Sequence, residues 1–245
     1  MTGLEICLED LDGAVTAERC GADRIELCAG LVEGGTTPSI GTVRTVLGRV
    51  DRIDVQVIVR QRGGDFVYTR AEVDAMCADI EAIRAVASAP GVRVGFVLGA
   101  LNRDGTVDRT AVRRMLDVSG DAPVTFHKAF DETPDLDAAL DTLVELGIDR
   151  ILTSGGAPTA VDGADTLARL VARAGDRITI LPAGGIRPHN AAEIVARTGV
   201  TEVHLRAAAA VQHAGHADSP AGGGASIRLV TSAAVIDDML EALGR

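Results

Sequence analysis

The chain has 245 residues and a formal net charge of −11, with 47% hydrophobic and 24% charged residues. This balance is ordinary for a globular protein, while the acidic charge argues against nucleic acid or anionic membranes as partners, because like charges repel. Aromatic residues make up only 2% of the chain, so Val, Ile, Leu and Ala must fill the core, as they do in parallel strands covered on both faces.

The sequence also indicates the cellular compartment in which the protein works. No basic-then-apolar leader precedes the first strand-like run at Leu4, and no apolar stretch is long enough to span a membrane. The four cysteines form no C-x-x-C pair. We therefore expect a cytoplasmic protein whose thiols are reduced.

Alternating strand-like and helix-like segments follow one another along the chain. Eight short runs rich in apolar or β-branched residues predict strands that begin at Leu4, Asp23, Ile53, Val92, Ala122, Asp149, Arg177 and Glu202. Between them, Thr69 is placed to cap a helix, a second helix starts near Thr133-Pro134 and ends at Gly147, and a third closes the chain. Eight such units in a chain of this length predict a single (β/α)8 barrel, a TIM-like fold, over residues 1–245. The Gly-rich residues 212–225 predict a mobile loop after the eighth strand.

Polar residues share one phase of the predicted strands. Alternate residues of a strand face opposite sides. If Ile6 and Leu8 face the helices, Glu5 and Cys7 therefore face the barrel axis. The same argument points the following side chains inward or toward the barrel mouth: Glu26, Cys28, Gln56, Ile58, Arg60, Arg62, Thr125, His127, Glu202, His204 and Arg206.

An interior of this kind departs from the aliphatic layers that usually fill a barrel. Buried charges must pair with one another or with a ligand, since an unpaired one costs several kcal/mol. We expect Glu5, Glu26, Arg60 and His127 to form a mutually bonded cluster at the C-terminal mouth, and a self-satisfied ionic core remains the alternative to a functional site.

Several motifs in order along the chain resemble those of the CutC family. They are EIC (5–7), GADRIELC (21–28), GGTTPS (34–39), RQRGGDFVY (60–68), TFHKAFD (125–131), LGIDRILTSGG (146–156), GGI (184–186) and EVHL (202–205). The resemblance covers roughly residues 4–206 and implies a cytoplasmic TIM-like barrel, a homodimer or larger homo-oligomer, with a link to copper homeostasis. Three positions depart from the family pattern, with Gln61 in place of Pro, Lys128 in place of Arg and Arg206 in place of Ser, which predicts an altered pocket rim.

The first functional hypothesis is a copper site at Cys7 and Cys28. Cu(I) prefers soft thiolate donors, and these cysteines share a phase on neighbouring parallel strands, roughly 5 Å apart. Two thiolates there can hold one linear Cu(I). The alternative is that both are small buried apolar residues, as free cysteines usually are; Cys20 and Cys77, on helix-like segments, are expected to serve only packing.

The second hypothesis is an enzyme that works by acid/base chemistry on a small carboxylate or phosphate substrate in the barrel mouth. In this interpretation a glutamate is the base, His127 is the acid and two arginines clamp the anion. The candidate pocket residues are Glu5, Glu26, Arg60, Arg62, His127 and Asp131.

Glycines after the sixth and seventh strands are candidates for binding the anion through their N–H groups. They are Gly155, Gly156, Gly184 and Gly185, and a tight turn is the competing explanation for each pair. Lys128, the sole lysine, is expected to face outward if His127 faces inward, unless the fifth strand has already ended there, and this argues against Schiff-base chemistry.

Overall fold

The computed structural model describes residues 1–213 and 226–245. In these ranges the barrel strands are β1 (Gly3–Leu8), β2 (Arg24–Leu27), β3 (Asp54–Ile58), β4 (Val94–Leu98), β5 (Val124–Phe126), β6 (Arg150–Thr153), β7 (Thr179–Pro182) and β8 (Glu202–Leu205). They run parallel in the order β7-β6-β5-β4-β3-β2-β1-β8, and β8 packs beside β7, so the sheet nearly closes into a barrel. The predicted TIM-like fold is confirmed, and each predicted run contains one strand.

Helices surround this barrel. Those in the described ranges are α1 (Leu11–Cys20), α2 (Ile40–Leu47), α3 (Arg70–Arg84), α4 (Arg109–Ser119), α5 (Leu136–Leu146), α6 (Ala164–Ala174), α7 (Pro188–Thr198) and α8 (Ala233–Ala242). Thr69 caps α3 as predicted, in a reciprocal arrangement with Glu72. Helix α5 starts later than expected, because the Asp135 carboxylate rather than Thr133 accepts the first free N–H groups, and it ends at Gly147 in a left-handed conformation.

The strands divide their side chains between two environments. Outward residues such as Ile6, Leu8, Ile25 and Leu27 are fully buried in the main core between sheet and helices. The inward phase carries the polar residues together with a small apolar cluster, which contains Cys7, Cys28, Ile58 and Val97. Within the strands themselves the predicted inward and outward phases are therefore correct.

An antiparallel hairpin follows the barrel. Strands β9 (Ala208–His213) and β10 (Ser226–Thr231) pair with each other, and the Asp10 carboxylate accepts a hydrogen bond of 2.7 Å from the Thr231 hydroxyl. The alanine run was not predicted as a strand, since its pairing partner lies across the Gly-rich segment. Of the predicted loop 212–225, the first two residues lie in β9 and residues 214–225 lie outside the described ranges. Among the helices described, none is long and apolar enough to cross a membrane.

Candidate functional site

A cavity of about 520 Å³ opens at the C-terminal ends of the strands. Its lining includes seven of the residues predicted for the site, namely Cys7, Glu26, Arg60, His127, Asp131, Gly184 and Gly185. Five other predicted residues, Glu5, Cys28, Arg62, Gly155 and Gly156, lie outside the lining. The cavity therefore lies at the end of the barrel where the sequence placed the candidate residues, but several individual contacts differ from those predicted.

A buried ionic network lies beneath the cavity. The Arg24 guanidinium donates to Glu5 and, at 2.5 Å, to Glu202, which also accepts from Arg150 at 3.0 Å. Arg24 is the strand partner of Glu5 across β1 and β2. Sequence reasoning did not single out Arg24, although it lies two residues before Glu26 and so shares its inward phase.

His204 joins this network to the floor of the cavity. Its Nδ1 lies 2.7 Å from Glu5 Oε1 and its Nε2 lies 3.6 Å from Glu26 Oε2. Burial by itself raises the pKa of Glu5, but Arg24 and His204 outweigh it and lower that pKa to about 2. Burial opposes a charge on His204, yet contacts with Cys7 and Glu5 raise its pKa well above the usual value. At neutral pH, Glu5 is therefore a carboxylate and His204 an imidazolium.

The two cysteines of the barrel interior face each other. Cys7 Sγ lies 3.8 Å from Cys28 Sγ, and both thiols are free and buried. The hydrogen bond from Cys28, helped by His204 and opposed by burial, lowers the pKa of Cys7 to about 5. The same interaction with Cys7, together with burial, raises the pKa of Cys28 well above its usual value. Cys7 is consequently a thiolate that accepts a hydrogen bond from the Cys28 thiol.

Glu26 differs from Glu5 in its protonation. Burial and the negative charge of Cys7 raise the pKa of Glu26 well above its usual value, although His204 opposes them. Glu26 is therefore a neutral acid at the edge of the cavity. Within the described ranges, ligand atoms of Cys7, Glu26 and His204 lie within 4.8 Å of one another, an arrangement able to hold a metal ion.

Arg60 does not join the cluster predicted for it. Its guanidinium donates to three backbone carbonyls, those of Glu33 at 2.8 Å, Gly35 at 3.1 Å and Gly64 at 2.7 Å. It also stacks over the Phe66 ring. The expected bond between Arg60 and a glutamate is wrong, because Arg24 and His204, rather than the arginines of the third strand, neutralise the buried carboxylate.

Arg62 also points away from the cavity. It pairs with Glu72 at 2.6 Å and with Asp65 at 3.1 Å, and its guanidinium lies over the Tyr68 ring. The strand ends at Ile58, so inward alternation no longer applies four residues later. The predicted anion clamp by Arg60 and Arg62 therefore does not form in this structure.

His127 is buried against Phe66, and the residue as a whole is only 4% exposed to solvent. Burial, with a smaller contribution from the Arg60 charge, lowers the pKa of His127 to about 3. It does not bond to Glu5 or Glu26 as predicted, and its imidazole is neutral at physiological pH. A neutral imidazole is a poor proton donor but remains a good hydrogen-bond donor.

Asp131 occupies the N–H groups that were predicted to bind an anion after the sixth strand. Its carboxylate accepts from the backbone N–H groups of Ser154 at 3.0 Å and Gly156 at 2.9 Å, while the Gly155 N–H donates to Thr153 Oγ1 at 2.8 Å. An internal carboxylate thus takes the place proposed for substrate. The predicted anion site at Gly155 and Gly156 is not available, and Asp131 holds the loop.

The second pair of glycines presents a different situation, because Gly184 and Gly185 line the cavity. The Lys128 ammonium also lines it, 3.6 Å from the Asp131 carboxylate. Lys128 was expected to face outward only if the fifth strand continued to it, but β5 ends at Phe126 and a 3-10 helix begins at Lys128, so the side chain lies at the rim of the cavity. One predicted pair of anion-binding glycines and a lysine that was not predicted for the site therefore lie at one edge of the mouth.

These observations define a (β/α)8-barrel protein with a thiolate, an imidazolium and a neutral carboxylic acid on the floor of its mouth. The sequence profile of the CutC family matches residues 2–209. A CutC protein of Mesorhizobium japonicum is 46% identical over 204 residues, which cover 83% of this chain and 77% of the relative. The human copper homeostasis protein cutC homolog is 44% identical over 204 residues, 83% of this chain and 72% of that protein.

A solved structure agrees with these sequence relationships. The putative copper homeostasis protein CutC from Streptococcus agalactiae superposes with a TM-score of 0.76 at 33% identity, covering 83% of this chain and 98% of that one. The chain belongs to the CutC family.

Proposed function

We propose that the protein acts in copper homeostasis by binding Cu(I) at Cys7 and Cys28. The observation that carries the proposal is the 3.8 Å separation of the two sulfurs on the barrel axis. Cu(I) is a soft ion that favours thiolates, with imidazole as an acceptable further ligand. The printed names of the human and streptococcal relatives support a role in copper homeostasis.

The spacing of the sulfurs bears on how many ligands the ion would have. Two metal–thiolate bonds of about 2.3 Å, the length known for zinc, place sulfurs about 4.6 Å apart when the three atoms are in line. The observed separation is shorter, so the linear site predicted from the sequence fits less well than one with a third ligand. His204 is suited to that role, since one of its ring nitrogens lies within 4.8 Å of the Cys7 sulfur, in a cluster completed by Glu26.

Copper binding on this proposal competes with protons. Cys28 is a thiol and His204 an imidazolium before the ion binds, because the pKa of each is raised well above its usual value. Each group that becomes a ligand must first release its proton. Apparent Cu(I) affinity should therefore rise with pH through the neutral range.

A competition titration tests the proposal. Reduced protein is titrated with Cu(I) in the presence of a chromophoric chelator, and the double variant Cys7→Ser with Cys28→Ser is compared with Cys20→Ser with Cys77→Ser. We expect the first variant to lose tight binding and the second to keep it, since Cys20 and Cys77 lie on the outer helices α1 and α3. Equal copper uptake by the two double variants contradicts the proposal.

A second candidate function, acid/base catalysis on a small anionic substrate, is supported by the protonation of Glu26. A neutral carboxylic acid and a thiolate, Cys7, both line the cavity. We propose Glu26 as the acid and Cys7 as the base, in place of the roles first predicted for Glu5 and His127. Glu5 is engaged by Arg24 and His204, and His127 is neutral.

Proton exchange provides a test that needs no known product. Small carbonyl anions, pyruvate and dihydroxyacetone phosphate, are incubated with the protein in heavy water, and loss of C–H signals is followed by NMR. We expect exchange that Glu26→Gln abolishes and that the control Glu81→Gln retains, since Glu81 is exposed on helix α3 and lies outside the cavity lining. Absence of exchange with every probe, or equal exchange by the two variants, contradicts this catalytic proposal.

We also propose a cellular location and an oligomeric state for the protein. Free thiols 3.8 Å apart persist in a reducing compartment, which supports a cytoplasmic protein. A homodimer or larger homo-oligomer remains a prediction from the family resemblance, and size-exclusion chromatography with light scattering measures it directly.

A further inference from the structure

The neutral imidazole of His127 has an unused hydrogen-bond donor at the cavity. Its Nδ1 accepts a hydrogen bond of 3.2 Å from the Ala129 N–H, so the ring proton is on Nε2. In the described ranges Nε2 is buried and has no partner, while His127 lines the mouth. A buried donor without an acceptor has a cost in free energy. An acceptor supplied by a ligand removes that cost.

Three neighbours hold the imidazole in this orientation. The Phe66 ring centroid lies 4.8 Å from that of His127, and the Arg60 guanidinium stacks on Phe66, 4.8 Å from its ring centroid. Gly99 leaves room for the imidazole, since a Cβ at that position would lie 2.6 Å from His127 Cε1 and 2.7 Å from Nδ1. These contacts restrict the orientation of the ring, so its unused N–H is positioned before any ligand arrives.

Groups suited to an anion line the same cavity. The Lys128 ammonium lies next to Gly184, 3.6 Å from the position where a Cβ of that residue would stand. Gly184 and Gly185 have φ angles of +96° and +72°, a region that other residues rarely adopt. Within residues 1–213 and 226–245, neither glycine N–H donates to an internal acceptor. In contrast to the loop after β6, this edge has no carboxylate bound to its N–H groups.

We propose that the mouth binds a small organic anion with two anchor points, an oxyanion at Lys128 and Gly184-Gly185 and a carbonyl oxygen at His127 Nε2. This inference rests on the second candidate function and names its substrate class. Phosphate and carboxylate share the chemistry of the first anchor, and the probes below separate them. The proposed copper ligands Cys7, Cys28 and His204 belong to neither anchor, so copper binding and anion binding can be measured independently.

Four probes separate the two anchors by isothermal titration calorimetry. They are inorganic phosphate, dihydroxyacetone, dihydroxyacetone phosphate and pyruvate, tested on the whole reduced protein without metal. We expect dihydroxyacetone phosphate or pyruvate to bind at least about tenfold more tightly than inorganic phosphate, the factor that corresponds to one additional hydrogen bond. Dihydroxyacetone, which lacks the anion, should bind weakest.

Two variants assign the anchors to residues. Lys128→Met should weaken inorganic phosphate and the preferred organic anion by a similar factor, while Lys128→Arg retains both. His127→Phe keeps an aromatic ring beside Phe66 and should reduce only the organic anion, to the affinity of its anion group alone. Thermal unfolding verifies that each variant is folded, and Gly99→Ala, which displaces the ring, should reproduce the His127→Phe pattern.

The outcomes separate this inference from the functions proposed above. Equal affinity for inorganic phosphate and the organic anions, or equal weakening of both by His127→Phe, overturns the two-anchor site. Selective binding with no proton exchange retains the site and removes the catalytic role. Whether or not proton exchange is observed, we expect His127→Phe and Lys128→Met to take up copper as the wild type does. Loss of copper uptake in one of these variants overturns the separation of the two sites.

Discussion

His204 Nδ1 lies 2.7 Å from Glu5 Oε1, and these two residues are strand partners across β8 and β1, the pair that joins the last barrel strand to the first. This contact joins the ionic layer beneath the cavity to the thiolate above it. Two cations, Arg24 and His204, balance the carboxylate of Glu5 and the thiolate of Cys7. Because an unpaired buried ion costs several kcal/mol, each member depends on the others for its charge.

The charge on Cys7 should therefore depend on His204. We expect His204→Gln to raise the pKa of the Cys7 thiol above its value of about 5, because the imidazolium that stabilises the thiolate is lost. The measurement is the ultraviolet absorbance of thiolate as a function of pH, in a background with Cys20→Ser and Cys77→Ser. Cys28→Ala should also raise that pKa, because it removes the thiol that donates to Cys7. An unchanged titration in His204→Gln contradicts the proposed pairing.

Arg24 should contribute much more to stability than an exposed arginine. Arg24→Met leaves the Glu5 carboxylate without its main partner, and we expect a loss of about 3–5 kcal/mol in the free energy of unfolding. The matched control is Arg93→Met, whose side chain is 75% exposed in a pair with Asp54, and it should cost less than about 1 kcal/mol. Urea denaturation measures both, and similar losses in the two variants are inconsistent with a buried network.

The neutral His127 predicts a pH dependence of stability. Its pKa is lowered from 6.5 to about 3 in the folded protein, so below pH 6.5 the unfolded chain binds a proton that the folded chain does not. The contribution of His127 to the free energy of unfolding is complete above about pH 6.5. It is lost as pH falls toward 3, by about 1.4 kcal/mol for each pH unit. His127→Phe should flatten the wild-type slope in that window. Exposed His189→Gln is the control and should retain the slope.

Asp131 should stabilise the loop after β6 rather than bind substrate. In Asp131→Asn the side chain can no longer accept all the N–H and hydroxyl donors of residues 153–156, and we expect a cost of about 1–3 kcal/mol. Hydrogen exchange should accelerate at the amides of Ser154 and Gly156. The exposed neighbour Glu132 provides the control, since Glu132→Gln should leave exchange at both amides unchanged. Full protection in Asp131→Asn would show that the carboxylate does not hold the loop.

The extent to which the sequence predicted the site differs between the strands and the loops. Inside strands, alternation assigned Glu5, Cys7 and Glu26 to the barrel axis correctly, because a residue's side follows from its parity alone. Past the strand ends, the same rule failed at Arg62 and no longer applied at Lys128. Local turns there, including the 3-10 helix that starts at Lys128, redirect the side chains.

The amino-acid sequence by itself determined the (β/α)8 fold, the polar phase of its interior and the membership of the two cysteines in that phase. These properties depend on periodicity and on spacing along the chain. Only the tertiary structure decided which charges pair, since contacts such as Arg24 with Glu202 and His204 with Glu5 join strands that are distant in sequence. Protonation was also decided there, because the pKa of a buried group depends on its burial and on every charge around it. Glu5 and Glu26 have the same side chain, yet Arg24 keeps the first ionised while burial and the charge of Cys7 keep the second neutral.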